Sequence, residues 1–280
     1  MRRALSLLVV VVALALPATA AAATGSPIVI TFTGDPHGPK PNGFHSVASP
    51  DIAFWDTMGA GLSLETLPYH QTDGQSLVIN PDDASAVEIR LARPTTALSL
   101  AFGNDDPEFA DTSDLARLTL YRGGDQVARR SVRLNANDEI DQRIGERDGP
   151  LFDRAVFQYV DPGGTPLHLA EIIDDIRINP LCTVAGTSGP DQLVATQGSD
   201  VICGGPGNDV ISSRRGADVV YGGPGRDTIK GGRGADVLRG GPGRDHLSGG
   251  RGDDTCLGGP GRDAAIGCEH VRSALARRHR

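Results

Sequence analysis

Aromatic residues and catalytic motifs are both scarce in this chain. Phe, Trp and Tyr make up 4% of the 280 residues, and there is a single Trp. The seven histidines form no H-E-x-x-H motif and no G-x-S-x-G segment occurs, so the signatures of zinc proteases and α/β-hydrolases are missing. The sequence therefore predicts a protein that is not an enzyme, and an unrecognised hydrolase is left as an alternative.

Long apolar segments are missing after the N-terminus. Arg2 and Arg3 precede an apolar run at residues 5–16, and Pro17 and a stretch of small residues follow it. This order is typical of a cleavable secretory signal. No later segment approaches the ~20 apolar residues of a membrane helix. We therefore predict a signal peptide over residues 1–23, a secreted, extracellular location and no membrane span.

Positive charge is scarce in the larger part of the chain. Residues 24–185 carry 24 acidic and 12 basic side chains, whereas residues 186–267 carry ten Asp, no Glu and nine Lys or Arg. A net charge of −12 over the first segment repels phosphate, so we predict no nucleic-acid partner. The change in composition indicates a domain at 24–181, a second at 182–268 and a basic tail at 269–280.

A nine-residue repeat without insertions fills residues 186–266. Its units read GTSGPDQLV, ATQGSDVIC, GGPGNDVIS, SRRGADVVY, GGPGRDTIK, GGRGADVLR, GGPGRDHLS, GGRGDDTCL and GGPGRDAAI. The fourth residue is always Gly, and the eighth is aliphatic until Cys256 and Ala265. The sixth is always aspartate, at Asp191, Asp200, Asp209, Asp218, Asp227, Asp236, Asp245, Asp254 and Asp263. Strict phase indicates stacked identical units rather than a low-complexity linker.

Each repeat position has a structural role if six residues turn and three form a strand. Only the eighth side chain then points inward, which gives a core too thin to offset chain entropy by itself. Units eighteen residues apart stack, so their carboxylate and carbonyl oxygens face each other, and calcium prefers such ligands. We expect Asp227 and Asp245 to share an ion, Asp236 to lie on the opposite edge, and about seven ions at most.

These units resemble the RTX (repeats-in-toxin) nonapeptide GGxGxDxUx, in which U is a large aliphatic residue. The resemblance implies an all-β, right-handed parallel β-roll with calcium as its cofactor, held by the repeat aspartates and by backbone carbonyls of the Gly-rich turns. The units beginning at Gly186, Ala195 and Ser213 lack the Gly-Gly pair. We therefore expect the best sites between Asp209 and Asp254.

Four cysteines flank the repeats. Cys182 and Cys203 lie near the first unit, and Cys256 and Cys268 lie near the last. With coils about 4.8 Å apart, Cys203 and Cys256 are separated by roughly 14 Å, beyond disulfide reach. We predict disulfides Cys182–Cys203 and Cys256–Cys268, each closing a short loop at one end of the roll. A zinc site is the alternative, but no Cys-x-x-Cys spacing favours it.

The segment before the repeats consists of short apolar stretches separated by Gly, Pro and Asp. Alternation is clear in "AVEIRL" and "TALSLAF", and "LARLTLYRGGDQVARRSVRL" predicts a hairpin that turns at Gly123, Gly124 and Asp125. Many strands without a helical period favour a β-sandwich. The closing "IIDDIRI" resembles the galactose-binding-like jelly-roll modules of secreted bacterial proteins.

Such modules often bind sugars on an aromatic platform. Trp55 and Tyr69 are the candidate platform here, with His70, Tyr121 and Tyr159 as further candidates, although a core position is favoured for Trp55. The resemblance also makes Asp174 and Asp175 candidates for a structural calcium, against the commoner role of edge carboxylates.

The sequence therefore predicts a secreted calcium-binding protein, whose repeats fold around structural calcium after export. The first alternative is an extracellular carbohydrate-binding sandwich carried on a calcium-stabilised roll. Calcium is the predicted partner in both, and extracellular carbohydrate is a partner in the alternative only.

Overall fold

The computed structural model describes residues 10–12, 27–47, 49–58, 61–65, 76–79, 86–103, 113–135, 141–146, 150–167 and 172–272. Only Val10–Val12 of the predicted signal peptide and residues 269–272 of the predicted tail fall within these ranges. The described residues contain strands and no helix, and so none of them forms a helix suited to crossing a bilayer. Two compact units result, one of Ser26–Arg147 with Leu151–Asn179 and one dominated by Pro180–Arg280.

The first fourteen strands include all those of the N-terminal unit. They are β1 (Val10–Val12), β2 (Ile28–Ile30), β3 (Gly38–Pro39), β4 (Phe44–His45), β5 (Ile52–Asp56), β6 (Leu62–Glu65), β7 (Ser76–Ile79), β8 (Val87–Thr95), β9 (Leu98–Gly103), β10 (Leu115–Arg122), β11 (Asp125–Arg133), β12 (Gln142–Glu146), β13 (Phe152–Val160) and β14 (Ile172–Ile178). Strands β2 to β14 form two antiparallel sheets. Sheet I has the order β11-β10-β13-β8-β5-β4, and sheet II has the order β12-β9-β14-β7-β6-β3 with β2 beside β14.

Alternation along the strands places one face of each sheet in the core. In β10, Ala116, Leu118 and Leu120 are fully buried, while Arg117 and Tyr121 on the other face are half-buried. Successive strand residues point to opposite faces, so "LARLTLY" has one apolar face and one mixed face. The predicted hairpin forms, because β10 pairs antiparallel with β11 across a turn at Gly123 and Gly124.

Aromatic rings join the two sheets. Phe102 of sheet II packs on Phe157 of sheet I with ring centroids 5.4 Å apart, and Tyr159 is fully buried beside them. The Tyr159 hydroxyl donates to the carbonyl of Gly103, which satisfies the polar end of a core residue. Two antiparallel sheets with a shared aromatic core confirm the predicted β-sandwich.

The roll contains eleven further strands, nine of which come from the repeat units. They are β15 (Val184–Ala185), β16 (Gln192–Val194), β17 (Val201–Cys203), β18 (Val210–Ser212), β19 (Val219–Tyr221), β20 (Thr228–Arg233), β21 (Val237–Arg239), β22 (His246–Arg251), β23 (Thr255–Leu257), β24 (Ala264–Ile266) and β25 (His270–Arg272). They alternate between two parallel sheets, β15-β17-β19-β21-β23-β25 and β1-β16-β18-β20-β22-β24. Partners such as Ile211 and Ile229 are eighteen residues apart, which confirms the predicted parallel β-roll.

The roll has a narrow core between its two sheets. It contains the eighth residue of each unit, from Leu193 to Cys256, together with Val184 and Ala195, and Ala265 packs against it. Val184 and Val271 extend the two ladders beyond both ends of the repeat. Val184 pairs with Ile202, eighteen residues away, whereas Val271 pairs with Cys256, only fifteen residues away. The roll therefore begins before the first unit and continues past the predicted boundary at residue 268.

Candidate metal centres in the roll

The repeat aspartates stack in two columns, one on each edge of the roll. The Asp227 amide donates to Oδ1 of Asp245 at 2.9 Å, and the Asp236 amide donates to Oδ1 of Asp254 at 2.9 Å. The same contact, between 2.8 and 3.0 Å, joins every pair eighteen residues apart from Asp191 to Asp263. Asp227 and Asp245 thus share an edge, and Asp236 lies on the opposite one.

The second carboxylate oxygen of most repeat aspartates has no protein partner. This buried Oδ2 accepts no hydrogen bond in Asp209, Asp218, Asp227, Asp236, Asp245, Asp254 and Asp263. A buried carboxylate oxygen without a partner costs free energy unless a proton or a cation compensates it. The roll therefore contains a row of uncompensated anionic oxygens along each edge.

A backbone carbonyl lies close to five of these seven oxygens, beside the first glycine of a unit. A Cβ at Gly222 would lie 2.5 Å both from Oδ2 of Asp227 and from the carbonyl oxygen of Gly240. The same pair of oxygens, one from a carboxylate and one from a carbonyl of the next coil, would contact a Cβ at Gly204, Gly231, Gly240 and Gly249. The Gly-Gly units thus leave a small oxygen-lined space that any side chain would fill.

Glycine is required at other turn positions for a different reason. The second residue of the unit at Gly222 is Gly223, with φ of +106°, a conformation that side chains rarely adopt. At the fourth position, a Cβ on Gly225 would lie 1.5 Å from the carbonyl oxygen of Gly207. The sequence folds into these tight turns because both positions lack a side chain.

Burial raises the pKa of the aspartates in the middle of the roll. Desolvation is the main cause, and neighbouring aspartates add to it, so the pKa reaches about 7 for Asp218 and Asp227 and about 6 for Asp209 and Asp245. The pKa of Asp236 is raised for the same reasons. Backbone amides oppose the shift but do not cancel it. Burial therefore disfavours the ionised form of these carboxyl groups, and a cation beside them would favour it.

The donor atoms fit calcium better than a transition metal. Carboxylate and carbonyl oxygens are hard ligands, which calcium takes in sets of about six to eight. No cluster of three or more His, Cys, Asp or Glu side chains that could hold a metal occurs among the described residues. A site here would therefore depend on backbone carbonyls as well as on aspartates, as the repeat pattern predicted.

Comparison with known proteins agrees with this geometry. Four overlapping segments, 185–220, 204–238, 212–247 and 230–264, match the RTX calcium-binding nonapeptide repeat. Residues 185–264 are RTX repeats. No curated protein matches the chain.

Solved structures resemble the chain over about half of its length. A GH51 α-L-arabinofuranosidase bound to arabinose is 12% identical over 56% of this chain, with a TM-score of 0.37, and the match spans 26% of that enzyme. A point mutant of the family 29 carbohydrate-binding module CBM29-2 is 16% identical over 56% of this chain and 94% of its own length, with a TM-score of 0.31. The K2 cleaved adhesin domain of Lys-gingipain is 13% identical over 55% of this chain and 99% of its own length, with a TM-score of 0.34.

The first two RTX units have closed sites. Oδ2 of Asp191 accepts hydrogen bonds from the amide and the hydroxyl of Thr187, at 2.7 and 3.0 Å. Thr196 makes the same two bonds to Asp200. Threonine thus supplies the compensation that the other aspartates lack, at two of the units whose Gly-Gly pair is missing. Thr187 and Thr196 stand where the Gly-Gly units have their second glycine. The loss of that glycine is visible in the sequence, but the hydrogen bonds of the threonines to the aspartates are not.

The last coil of the RTX roll is completed by a glutamate. Oε2 of Glu269 accepts the Asp254 amide at 2.7 Å, the role that an aspartate plays in the other coils. Because Glu269 lies only fifteen residues after Asp254, the fixed period of nine does not find it. The longer side chain compensates for the shorter coil.

Each end of the RTX roll carries a disulfide. Cys182 is bonded to Cys203 with Cα atoms 5.9 Å apart, and Cys256 is bonded to Cys268 with Cα atoms 6.0 Å apart. Both pairings are the predicted ones. Cys256 also occupies the buried eighth position of its unit, so this residue belongs both to the core and to the disulfide.

The predicted aromatic platform is not assembled in the described part of the sandwich. Tyr69 and His70 lie outside the described residues, and Tyr159 is a core residue. Trp55 is half-buried on the outer face of sheet I rather than in the core, and the guanidinium carbon of Arg90 lies 4.1 Å from its ring centroid. Trp55 therefore does not offer an uncovered ring on that side.

The candidate acids of β14 are engaged by protein groups. The Asp175 carboxylate forms ion pairs with Arg143 and Arg177, and Oδ1 of Asp174 accepts the Asp175 amide at 2.7 Å. Two guanidinium groups already compensate Asp175, so its surroundings favour a structural ion-pair role over calcium binding.

Proposed function

We propose that the protein is an exported calcium-binding protein, in which calcium ions occupy the spaces between successive coils of the RTX roll and stabilise it. Asp209, Asp227, Asp236, Asp245 and Asp254 would supply the side-chain ligands, with the facing glycine carbonyls. Calcium would supply the positive charge that the buried carboxylates lack. The role is structural, and the prediction that the protein is not an enzyme stays a prediction.

The observation that carries this proposal is the row of buried Oδ2 atoms without partners. They lie beside a core with one residue per unit, which is too thin to offset the desolvation of so many carboxylates. A divalent cation between coils removes the repulsion and cross-links the coils at once. Folding and calcium binding would thus be one process.

Export is supported by the two disulfides at the ends of the roll. Disulfides form and persist in oxidising compartments and are rare in the cytosol. Extracellular calcium modules bind with dissociation constants of about 10⁻⁴ to 10⁻³ M, so a roll of this kind would stay unfolded until it reaches a calcium-rich exterior.

Two adjacent aspartates provide a matched test of the sites. Asp254 is a buried repeat aspartate, whereas Asp253 is exposed and pairs with His270 at 3.1 Å. In the full chain, Asp254→Asn is expected to lose about one bound calcium and to weaken the calcium-dependent rise of the unfolding temperature. Asp253→Asn is expected to leave both unchanged. Calcium counting by equilibrium dialysis checks this, and equal losses in the two variants would contradict the assignment.

A further inference from the structure

The outer face of sheet I concentrates the arginines of the sandwich. Paired residues of an antiparallel ladder project to the same face. Tyr121 of β10 pairs with Arg154 of β13, which pairs with Arg90 of β8. Along the same face, Thr119 pairs with Arg129, and Leu115 pairs with Arg133. The guanidinium groups of Arg90, Arg117, Arg129, Arg133 and Arg154 form this arginine face.

The charge of the arginine face is opposite to that of the segment that carries it. Residues 24–185 contain 24 acidic and 12 basic side chains, and five of those 12 basic side chains lie on this face. Its strands contribute a single acid to it, Glu88, which is buried. Like charges on neighbouring strand positions are destabilising. A face with net charge of about +4 in an acidic domain therefore favours an external anion over a purely structural role.

Two of the guanidinium groups are held in fixed positions. Glu88 pairs with Arg90 through Oε1, and its Oε2 lies 3.3 Å from Nη1 of Arg154. The Arg90 guanidinium lies over the Trp55 ring, and the Arg154 guanidinium carbon lies 4.0 Å from the Tyr121 ring centroid. The carboxylate and the rings thus orient both groups before any ligand arrives, which lowers the entropy cost of binding.

The other arginines of the face have no acidic partner in the described part of the chain. No described carboxylate lies within 4.0 Å of Arg117, Arg129 or Arg133. The acids at the margin are neutralised locally, because Asp51 pairs with Arg93 and Asp153 pairs with Arg122. The positive charge of the face is therefore available to a ligand.

The chemistry of the face selects the kind of anion. Single-stranded nucleic acids and neutral sugars need an uncovered ring on which to stack, but Trp55 and Tyr121 each carry a guanidinium. Membrane docking needs exposed apolar side chains, and none of the large exposed ones among the described residues lies on β5, β8, β10, β11 or β13. Planar guanidinium groups match carboxylate and sulfate oxygens in pairs.

We propose that the arginine face binds a linear anionic polysaccharide that carries carboxylate or sulfate groups. Arg90 and Arg154 would form the preset centre, and Arg117, Arg129 and Arg133 would contact further anionic groups along the chain. This binding goes beyond the calcium function and does not depend on it, because no residue of the roll takes part.

The test measures affinity of the full chain for polygalacturonate and dextran sulfate, with uncharged dextran, oligo-dT and phosphatidylglycerol vesicles as competitors. Arg129 and Arg130 are neighbours on β11, but Arg129 lies on the arginine face, whereas Arg130 pairs with Glu146 at 2.5 Å. Arg129→Gln together with Arg133→Gln is expected to weaken polysaccharide binding about tenfold at low salt and to reduce its salt dependence. Arg130→Gln is expected to change the affinity less than about twofold.

The roll supplies a second control, since it also exposes arginines. Arg215, Arg233 and Arg251 are exposed on one edge of it, and their triple replacement by Gln is expected to leave polysaccharide binding intact. Near-ultraviolet circular dichroism verifies that each variant is folded. Loss of binding in the roll variant but not in the Arg129/Arg133 variant would overturn the proposal. Tighter binding to oligo-dT or to vesicles than to both charged polysaccharides would also overturn it.

Discussion

The sandwich and the roll differ in how much apolar surface their cores bury. The sandwich buries two facing sheets with Phe102, Phe157 and Tyr159 in contact across them. The core between the two sheets of the roll takes little more than one side chain from each unit, and the roll also encloses carboxylates whose second oxygens have no protein partner. Apolar burial is extensive in the sandwich and thin in the roll, which is why we propose that bound calcium stabilises the roll.

Calcium removal should give the largest difference in stability between the two units. With excess chelator, we expect the roll to lose its β structure while the sandwich keeps its own, because the proposed calcium sites lie in the roll. Circular dichroism and calorimetry of the full chain with and without calcium measure this. Two unfolding transitions with calcium and one without are expected, and an unchanged calorimetric profile would refute the comparison.

The pH response of the roll should reverse when calcium is present. The pKa of Asp227 is raised from 3.8 to about 7, so the metal-free fold binds the proton more tightly than the unfolded chain does. Without calcium, this contribution is fully present below pH 3.8 and is lost as pH rises to about 7. With calcium, protons compete with the ion, so calcium affinity should fall as pH drops from 7 to 5.

Calcium titrations at several pH values measure the response with calcium. Circular dichroism in chelator between pH 8 and pH 4 measures how much β structure the metal-free roll regains as the pH falls. A metal-free roll that is more stable at pH 8 than at pH 5 would contradict the assigned cause of the pKa shifts.

A single added methyl group should damage the roll where coils touch. Gly225→Ala places a Cβ 1.5 Å from the carbonyl oxygen of Gly207, and we expect a loss of more than about 2 kcal/mol in the calcium-bound free energy of unfolding. Gly189 occupies the same position in the first unit, where the nearest atom would be 3.9 Å away. Gly189→Ala should therefore cost less than about 0.5 kcal/mol. Urea unfolding in saturating calcium compares them, and similar costs would argue against close coil packing at Gly225.

The smallest expected effect is a gain in stability. Arg214 adopts φ of +73° at the second position of its unit, where the Gly-Gly units have glycine. Arg214→Gly should relieve this strain and stabilise the calcium-bound roll by about 0.5 to 1 kcal/mol. Arg215→Gly adds the same chain freedom without relieving a positive φ, so it should be neutral or destabilising. A stabilisation by both variants would assign the effect to charge instead of backbone strain.

Much of the roll could be predicted because its period is strict. The spacing of the aspartates gives the two edges, and the spacing of the aliphatic residues gives the core. Its ends could not be predicted in the same way. Thr187 and Thr196 act through contacts to carboxylates four residues away, and Glu269 lies outside the period.

The sandwich was less predictable because alternation fixes which residues share a face but not which face is inward. In "IAFWD", Phe54 and Trp55 are both large and apolar, and only the pairing with β8 places Phe54 in the core and Trp55 opposite Glu88 on the outer face. The arginine face likewise arises from strands that are distant in sequence. Acidic residues elsewhere in the segment outnumber its arginines, so the composition of the segment does not reveal the arginine face.

The alternation of the two edges constrains how the length of this protein can change in evolution. Proline-containing turns, as at Pro224 and Pro242, all lie on one edge, and turns with arginine at the third position, as at Arg233 and Arg251, lie on the other. Duplication or deletion of eighteen residues would add or remove one whole coil and leave both disulfide-bonded ends as they are. A change of nine residues would exchange the edges for every later unit, so that turns with proline would stack on turns without it. Viable relatives should therefore differ in length by whole coils.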